Sequence, residues 1–210
     1  MNFKMQGLHL IMWGDYPAEG WKPFSMEIKE LSLPGLMVIN PEVHRDERGY
    51  FLESFRGDIM TKFDLPSFFI QDNQAKSDKG TLRGLHFQLK YPQGKLVRVS
   101  MGKVLDVAVD IRRGSPTFGD HCSTILSDEN HAMMFIPEGF AHGYSILSDT
   151  AVFQYKCTQI YHREDEYGLF WDDPELDIDW GISNPTVSQK DSGLPFLKDI
   201  KKEHLPKYES

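Results

Sequence analysis

The chain has 210 residues and a formal net charge of −8, with 40% hydrophobic and 26% charged residues. That length suits one domain with a sizeable core, and the acidity excludes nucleic acid as a bulk partner, because a phosphate backbone rewards a basic face. No apolar run approaches the roughly 20 residues a membrane helix needs, so no membrane partner is expected either.

In chain order, residues 1–27 read as an N-terminal extension to one domain spanning 28–210. The extension has a short apolar patch followed by Asp15 and Glu19, with no small-residue cleavage site, so a cytoplasmic protein is expected. From about residue 36 the pattern becomes short period-2 runs broken by turn signals. "GLMVINPEVHRDERGYFLESF" gives two strands around the polar "HRDERG", and "RGDIMTKF" one short helix near residues 57–63. "FFIQDNQAKSDKGTLRGLHFQ" gives two more strands around "SDKG". "GKLVRVSMGKVLDVAVDIRR" reads as a hairpin turning at "SMGK". "CSTILSDENHAMMFIPEGFAHGYSILSDTAVFQYKCTQIY" supplies four further runs, cut by "SDEN", "PEGFAHG" and "LSDT". After Trp171 the tail is rich in Asp and Pro, and "LPFLKDIKKEHLPKY" is expected to hold a helical turn or two. Many short strands between turns mean an all-β sandwich or barrel. Cys122 and Cys157 form neither a C-x-x-C pair nor a zinc spacing, and are expected as reduced thiols.

Two of these stretches carry candidate chemistry. In "TLRGLHFQ", strict alternation puts Arg83 and Leu85 on one face and Gly84, His86 and Gln88 on the other. Gly84 leaves space beside His86 for a ligand or a close backbone approach. A lone histidine on a strand is more often a satisfied polar residue than a catalyst, and on these residues alone both readings stay open. In "IPEGFAHGYSI", Pro137, Gly139 and His142 form P-x-G-x-x-H, a tight turn that delivers a histidine into the next strand. This resembles the second motif of the cupin barrels, whose fold is a double-stranded jelly roll. Metal-binding cupins place H-x-H and a glutamate in the first motif. Here "HFQ" puts Gln88 where the second histidine would stand, so no metal site is expected, and no cofactor.

Further motifs sharpen the resemblance. "DERGYFLESF", "QDN", "LRGLHFQ", "QGKLVRV", "DVAVDIRRGSPTFG", "IPEGFAHGY", "FQYK" and "SQKD", in this order and spacing, are similar to the dTDP-4-dehydrorhamnose 3,5-epimerase family over roughly residues 28–197. The resemblance implies a cupin-type jelly roll with a few short helices and a C-terminal tail folded back over the barrel. It implies a homodimer that converts dTDP-4-keto-6-deoxy-D-glucose to dTDP-4-keto-L-rhamnose, on the way to dTDP-L-rhamnose. The C4 ketone acidifies the protons at C3 and C5, so such a site needs a base on one face, an acid on the other and a cation at the developing oxyanion. By resemblance His86 is the base, Asp191 the carboxylate that orients it, Tyr155 the acid and Lys95 the cation.

The nucleotide end follows in the same way. Arg48, Arg83 and Lys190 match residues near the diphosphate or sugar. Glu53, Gln71, Asp72 and Asn73 match polar ligand contacts, some drawn in the family from the neighbouring subunit. His142 and Glu166 match further sugar or nucleotide contacts, and Tyr161 the aromatic that stacks on thymine. Gln74 and Ala75 stand where hydroxyl residues are commoner, Tyr144 where phenylalanine is usual, and Gln189 at a variable position. The nearest rival is a 3- or 5-mono-epimerase of a related nucleotide-linked 4-keto sugar. More distant ones are a non-catalytic sugar-nucleotide-binding cupin and a metal-dependent cupin oxygenase or isomerase.

Overall fold

The structure is a computed structural model that describes residues 25–208, so most of the expected N-terminal extension lies outside the described residues. The described chain begins with β1 (Met26–Glu30), β2 (Met37–Pro41), β3 (Val43–Asp46), β4 (Gly49–Leu52) and α1 (Gly57–Thr61). Next come β5 (Gln71–Asp78), β6 (Leu82–Gln88), β7 (Lys95–Met101), β8 (Lys103–Asp110) and β9 (His121–Ser127). The series closes with β10 (Met133–Ile136), β11 (Phe140–Ile146), β12 (Thr150–Cys157) and β13 (Glu166–Gly168). Short 3-10 turns at Asp191–Gly193, Leu197–Asp199 and Lys202–His204 punctuate the tail.

The strands form two antiparallel sheets, ordered β1-β2-β10-β7-β12-β5 and β13-β6-β11-β8-β9, plus a separate β3–β4 hairpin. Inward-facing Val97, Val99, Ala108, Met134, Ile136 and Phe153 pack between the sheets. This is the all-β class that the alternating runs imply, in the double-stranded jelly-roll arrangement expected from the cupin resemblance. Both outer faces are covered as well. Met60 of α1, with Leu65, packs on Ile39, Leu96 and Met133 of the first sheet. Leu176, Trp180, Leu197 and Leu205 of the tail pack on Val107, Val109 and Leu85 of the second. β8 is therefore buried on both faces, which accounts for the nearly unbroken apolar run "VLDVAV".

The "SMGK" segment is not the turn of a hairpin. Only Gly102 separates β7 from β8, yet β7 pairs with β10 and β12 while β8 pairs with β9 and β11. Gly102 has φ +81, and a Cβ there would lie 2.2 Å from the Thr150 carbonyl oxygen, so the chain steps between layers at a point only glycine fits. β5 and β6 likewise belong to different sheets. Alternation records which residues face inward, not which strand lies beside which. The "PEGFAHG" segment is not all turn either. β11 starts at Phe140, so His142 lies well inside a strand, with Cα partners His86 on β6 and Ala108 on β8.

Candidate active site

A cavity of about 430 Å³ opens between the sheets. His86 on β6 and His142 on β11 wall it from one sheet, and Lys95 on β7 and Tyr155 on β12 from the other, while Lys190 and Asp191 of the tail close one side. The tail is held there by main-chain bonds: Leu82 N–H donates to the Thr186 carbonyl at 3.0 Å and Thr186 N–H to the Gly80 carbonyl at 2.8 Å.

The His86 ring lies between two carboxylates. Its Nε2 is 2.7 Å from Asp191 Oδ1, and its Nδ1 is 3.6 Å from Glu166 Oε1. Asp191 also accepts the Gly84 N–H at 3.4 Å, and its own N–H donates to Ser188 Oγ at 3.1 Å. Burial works to raise the Asp191 pKa, but the hydrogen bond and charge of His86, with the Gly84 amide, outweigh it and hold the carboxyl below its ordinary value. Burial pulls Glu166 upward too, and Lys190, Tyr161 and His86 together bring it below its ordinary value. Lys190 Nζ is bonded to Glu166, and the Tyr161 hydroxyl donates to it at 2.7 Å. That bond pushes the Tyr161 phenol up to about 12.

Across the cavity, the side chains of Lys95 and Tyr155 have no hydrogen-bond or ion-pair partner among the described residues. Burial lowers the Lys95 amine against the pull of Cys157, Asp106 and Glu166, and burial raises the Tyr155 phenol. His142 is 7% exposed, with Nε2 3.0 Å from Asp106 Oδ2 and 3.1 Å from Oδ1. Its pKa is lowered by burial despite that carboxylate. Asp106 was missed from sequence. Its signal was an inward aspartate inside an apolar run, which calls for a buried partner.

Arg83 and His86 do not lie on opposite faces, as strict alternation required: both line the cavity. The β11–β6 register shifts between His142, opposite His86, and Tyr144, opposite Arg83, so two residues on β6, Gly84 and Leu85, stand against one on β11, Gly143. Such a bulge turns consecutive side chains to one side. Gly84 provides the close backbone approach rather than ligand space. Its φ is +109, and a Cβ there would meet Gly143 Cα at 2.5 Å. Arg83 is steadied by Ser77 Oγ, at 3.2 Å from Nε. Gln88 is turned away to the backbone, with Nε2 donating to the Tyr91 carbonyl at 2.6 Å and Oε1 accepting the His162 N–H at 2.6 Å.

The structure brings His86, Lys95, Tyr155, Asp191, Arg83, His142 and Lys190 to the cavity, and Glu166 and Tyr161 to its His86 side. It does not bring the rest. Arg48 stands in the β3–β4 turn against Asp46, and Glu53 pairs with Arg56 at 3.1 Å. Asp72 pairs with Lys156 at 2.9 Å, facing with Asn73 and Tyr155 into a second cavity of about 340 Å³. Gln71 bonds Asn73 and accepts the Tyr161 N–H at 2.8 Å.

A family model described as dTDP-4-dehydrorhamnose 3,5-epimerase matches residues 30–199. The dTDP-4-dehydrorhamnose 3,5-epimerase of Methanothermobacter thermautotrophicus is 51% identical over 171 residues, covering 80% of this chain and 92% of that one. The crystal structure of dTDP-6-deoxy-D-glucose-3,5-epimerase from Legionella pneumophila in complex with dTDP-4-keto-L-rhamnose superposes with a TM-score of 0.86 at 46% identity, covering 89% of this chain and 100% of that one. A 3′-monoepimerase from Streptomyces bikiniensis in complex with dTDP superposes with a TM-score of 0.80 at 32% identity, covering 85% and 92%.

Proposed function

This chain belongs to the dTDP-4-dehydrorhamnose 3,5-epimerase family, and from that premise we infer that it is an isomerase that inverts C3 and C5 of dTDP-4-keto-6-deoxy-D-glucose, giving dTDP-4-keto-L-rhamnose for dTDP-L-rhamnose biosynthesis. The observation that carries the assignment of roles is the placement of a histidine–aspartate pair and a phenol on opposed sheets of one cavity.

Asp191 accepts a hydrogen bond from the Nε2–H of His86, which leaves Nδ1 as the lone pair able to remove a C–H proton. The C–H electron pair becomes the enolate double bond, and the C4 carbonyl π pair moves to oxygen. The Lys95 ammonium stabilises that oxygen in a setting drier than water, where a charge counts for more. The imidazolium so formed sits between Asp191 and Glu166. Tyr155, whose raised pKa keeps it protonated, gives its proton to the opposite face of the carbon as the C4 carbonyl re-forms. Tyr155 then recovers a proton from solvent and His86 releases one to it, which readies both for the second carbon. Arg83 and Lys190 supply charge for the diphosphate, and Tyr161 a ring for the base, while His142 contacts the sugar.

The assembly is a two-fold homodimer. It is supported by the β3–β4 hairpin, which pairs with neither sheet and presents Tyr50 and Phe51, 50% and 59% exposed, beside Arg48 and Glu53. Those two residues, with Gln71, Asp72 and Asn73, then belong to contacts between subunits and with the nucleotide. No helix among the described residues is long and apolar enough to cross a membrane, and an activated sugar nucleotide as substrate supports a cytoplasmic place.

The test is incubation with dTDP-4-keto-6-deoxy-D-glucose in deuterated water, followed by a 4-keto reductase and NADPH. Deuterium at both C3 and C5, with NADPH consumed only when this protein is present, is the expected result. Deuterium at a single carbon would make it a mono-epimerase.

A further inference from the structure

Tyr144 lines the cavity from β11, on the same face as His142. Its ring lies flat on Phe153 of the opposite sheet, with centroids 3.9 Å apart and planes 17° apart, so packing fixes its side-chain torsions. The residue is 6% exposed. Its hydroxyl has no hydrogen-bond partner among the described residues, yet no fully buried side-chain oxygen or nitrogen is left unpaired there, so the hydroxyl opens into the cavity. A phenol that gives its ring to the core and its hydroxyl to a ligand cavity is a recognition group. Burial raises its pKa, so it stays protonated and can both donate and accept, the capacity a sugar hydroxyl demands.

Resting on the epimerase reading above, we propose that the Tyr144 hydroxyl selects the hexose by a hydrogen bond to its C2 hydroxyl. In a 4-keto-6-deoxyhexose, C1 carries the phosphate, C4 the ketone, C5 the ring oxygen and C6 only hydrogens, which leaves hydroxyls at C2 and C3. C3 is inverted, so its hydroxyl moves from one face of the ring to the other. C2 keeps its configuration through both inversions, and a rigidly packed donor suits the group that does not move. The exposed Lys190 and Tyr161 suit the diphosphate and base, while Tyr144 faces the buried interior, where the sugar must go to reach His86.

The experiment compares dTDP-4-keto-6-deoxy-D-glucose with its 2-deoxy analogue, in the unaltered protein and in Tyr144→Phe, with dTDP as a competitive inhibitor. The unaltered protein is expected to prefer the substrate bearing the C2 hydroxyl. Tyr144→Phe keeps the stack on Phe153 and should lose about five- to tenfold of that preference, through KM rather than kcat, with dTDP inhibition unchanged. A preference that survives Tyr144→Phe overturns the proposal. So does a loss of affinity shared equally by both sugars and dTDP, which would mark general damage to packing. Failure of the unaltered protein to turn over either sugar would instead remove the epimerase reading beneath it.

Discussion

At the residue scale the proposed chemistry divides between walls of the cavity, and the division can be measured. His86→Ala should abolish deuterium exchange at C3 and C5 together with product formation, a loss on the order of 10²–10⁴-fold for a positioned proton-transfer group. Tyr155→Phe leaves the base intact, so substrate should still exchange with solvent while net inversion falls. Equal loss of exchange in both variants would make Tyr155 a positioning residue. Lys95 gives the pH signature. Its ammonium form is the useful one, and burial lowers its pKa, so activity is full below that pKa and lost as pH rises through it, earlier than for an ordinary lysine. A kcat/KM profile should show this alkaline limb, and Lys95→Arg should move it upward in whatever activity remains, because a guanidinium does not titrate there.

At the element scale two segments hold the site in place. The tail supplies Asp191 and also packs Trp180, Leu197 and Leu205 on the second sheet. Removing residues 186–210 should abolish turnover, measured by the NADPH-coupled assay, while far-ultraviolet circular dichroism retains its β signal. A fully active truncation would remove Asp191 as the partner of His86. The end of β8 is fixed differently. Asp110 has no exposed side-chain surface and accepts from Arg112 at 2.8 Å, Ser115 at 2.6 Å and Thr117 at 2.7 Å. Burial would raise its pKa, but these donors lower it below its ordinary 3.8. A depressed folded-state carboxyl stabilises above the unfolded value, and that contribution is lost as pH falls through the folded pKa. Asp110→Asn should therefore destabilise by about 3–5 kcal/mol at pH 7, as breaking a buried pair does. Denaturant melts should show the gap to the unaltered protein closing as pH drops below 3.8.

At the scale of the whole molecule, Arg48 and Glu53 lie away from the cavity of their own chain, and the proposed homodimer would carry them to a neighbouring one. Tyr50 and Phe51 on the β3–β4 hairpin are exposed, and Phe68, in the segment between α1 and β5, is 72% exposed. Exposed large apolar side chains of this kind suit the surface that a second chain would cover in the proposed homodimer. Light scattering at micromolar concentration should give the mass of two chains, and Phe51→Glu should shift it toward one while weakening nucleotide-sugar binding. A monomer with full affinity would separate these residues from the site.

The sequence alone determined the all-β class, the positions of most strands, the short helix near residue 57 and His86 as a residue worth watching, while Lys95, Tyr155 and Asp191 stood out only through the resemblance to the family. The first group are local properties: period-2 burial and turn residues. Sheet membership was not local. β7 and β8 are separated by one glycine and part to different sheets, because pairing depends on which distant strand offers a complementary edge. The face of Arg83 was not local either, since the bulge that turns it beside His86 exists only in register with β11. Asp191 meets His86 across 105 positions, and His142 meets Asp106 across 36. Only the closed barrel, with its tail packed down, decides such contacts, because burial energy selects the three-dimensional partner and sequence distance carries no record of it.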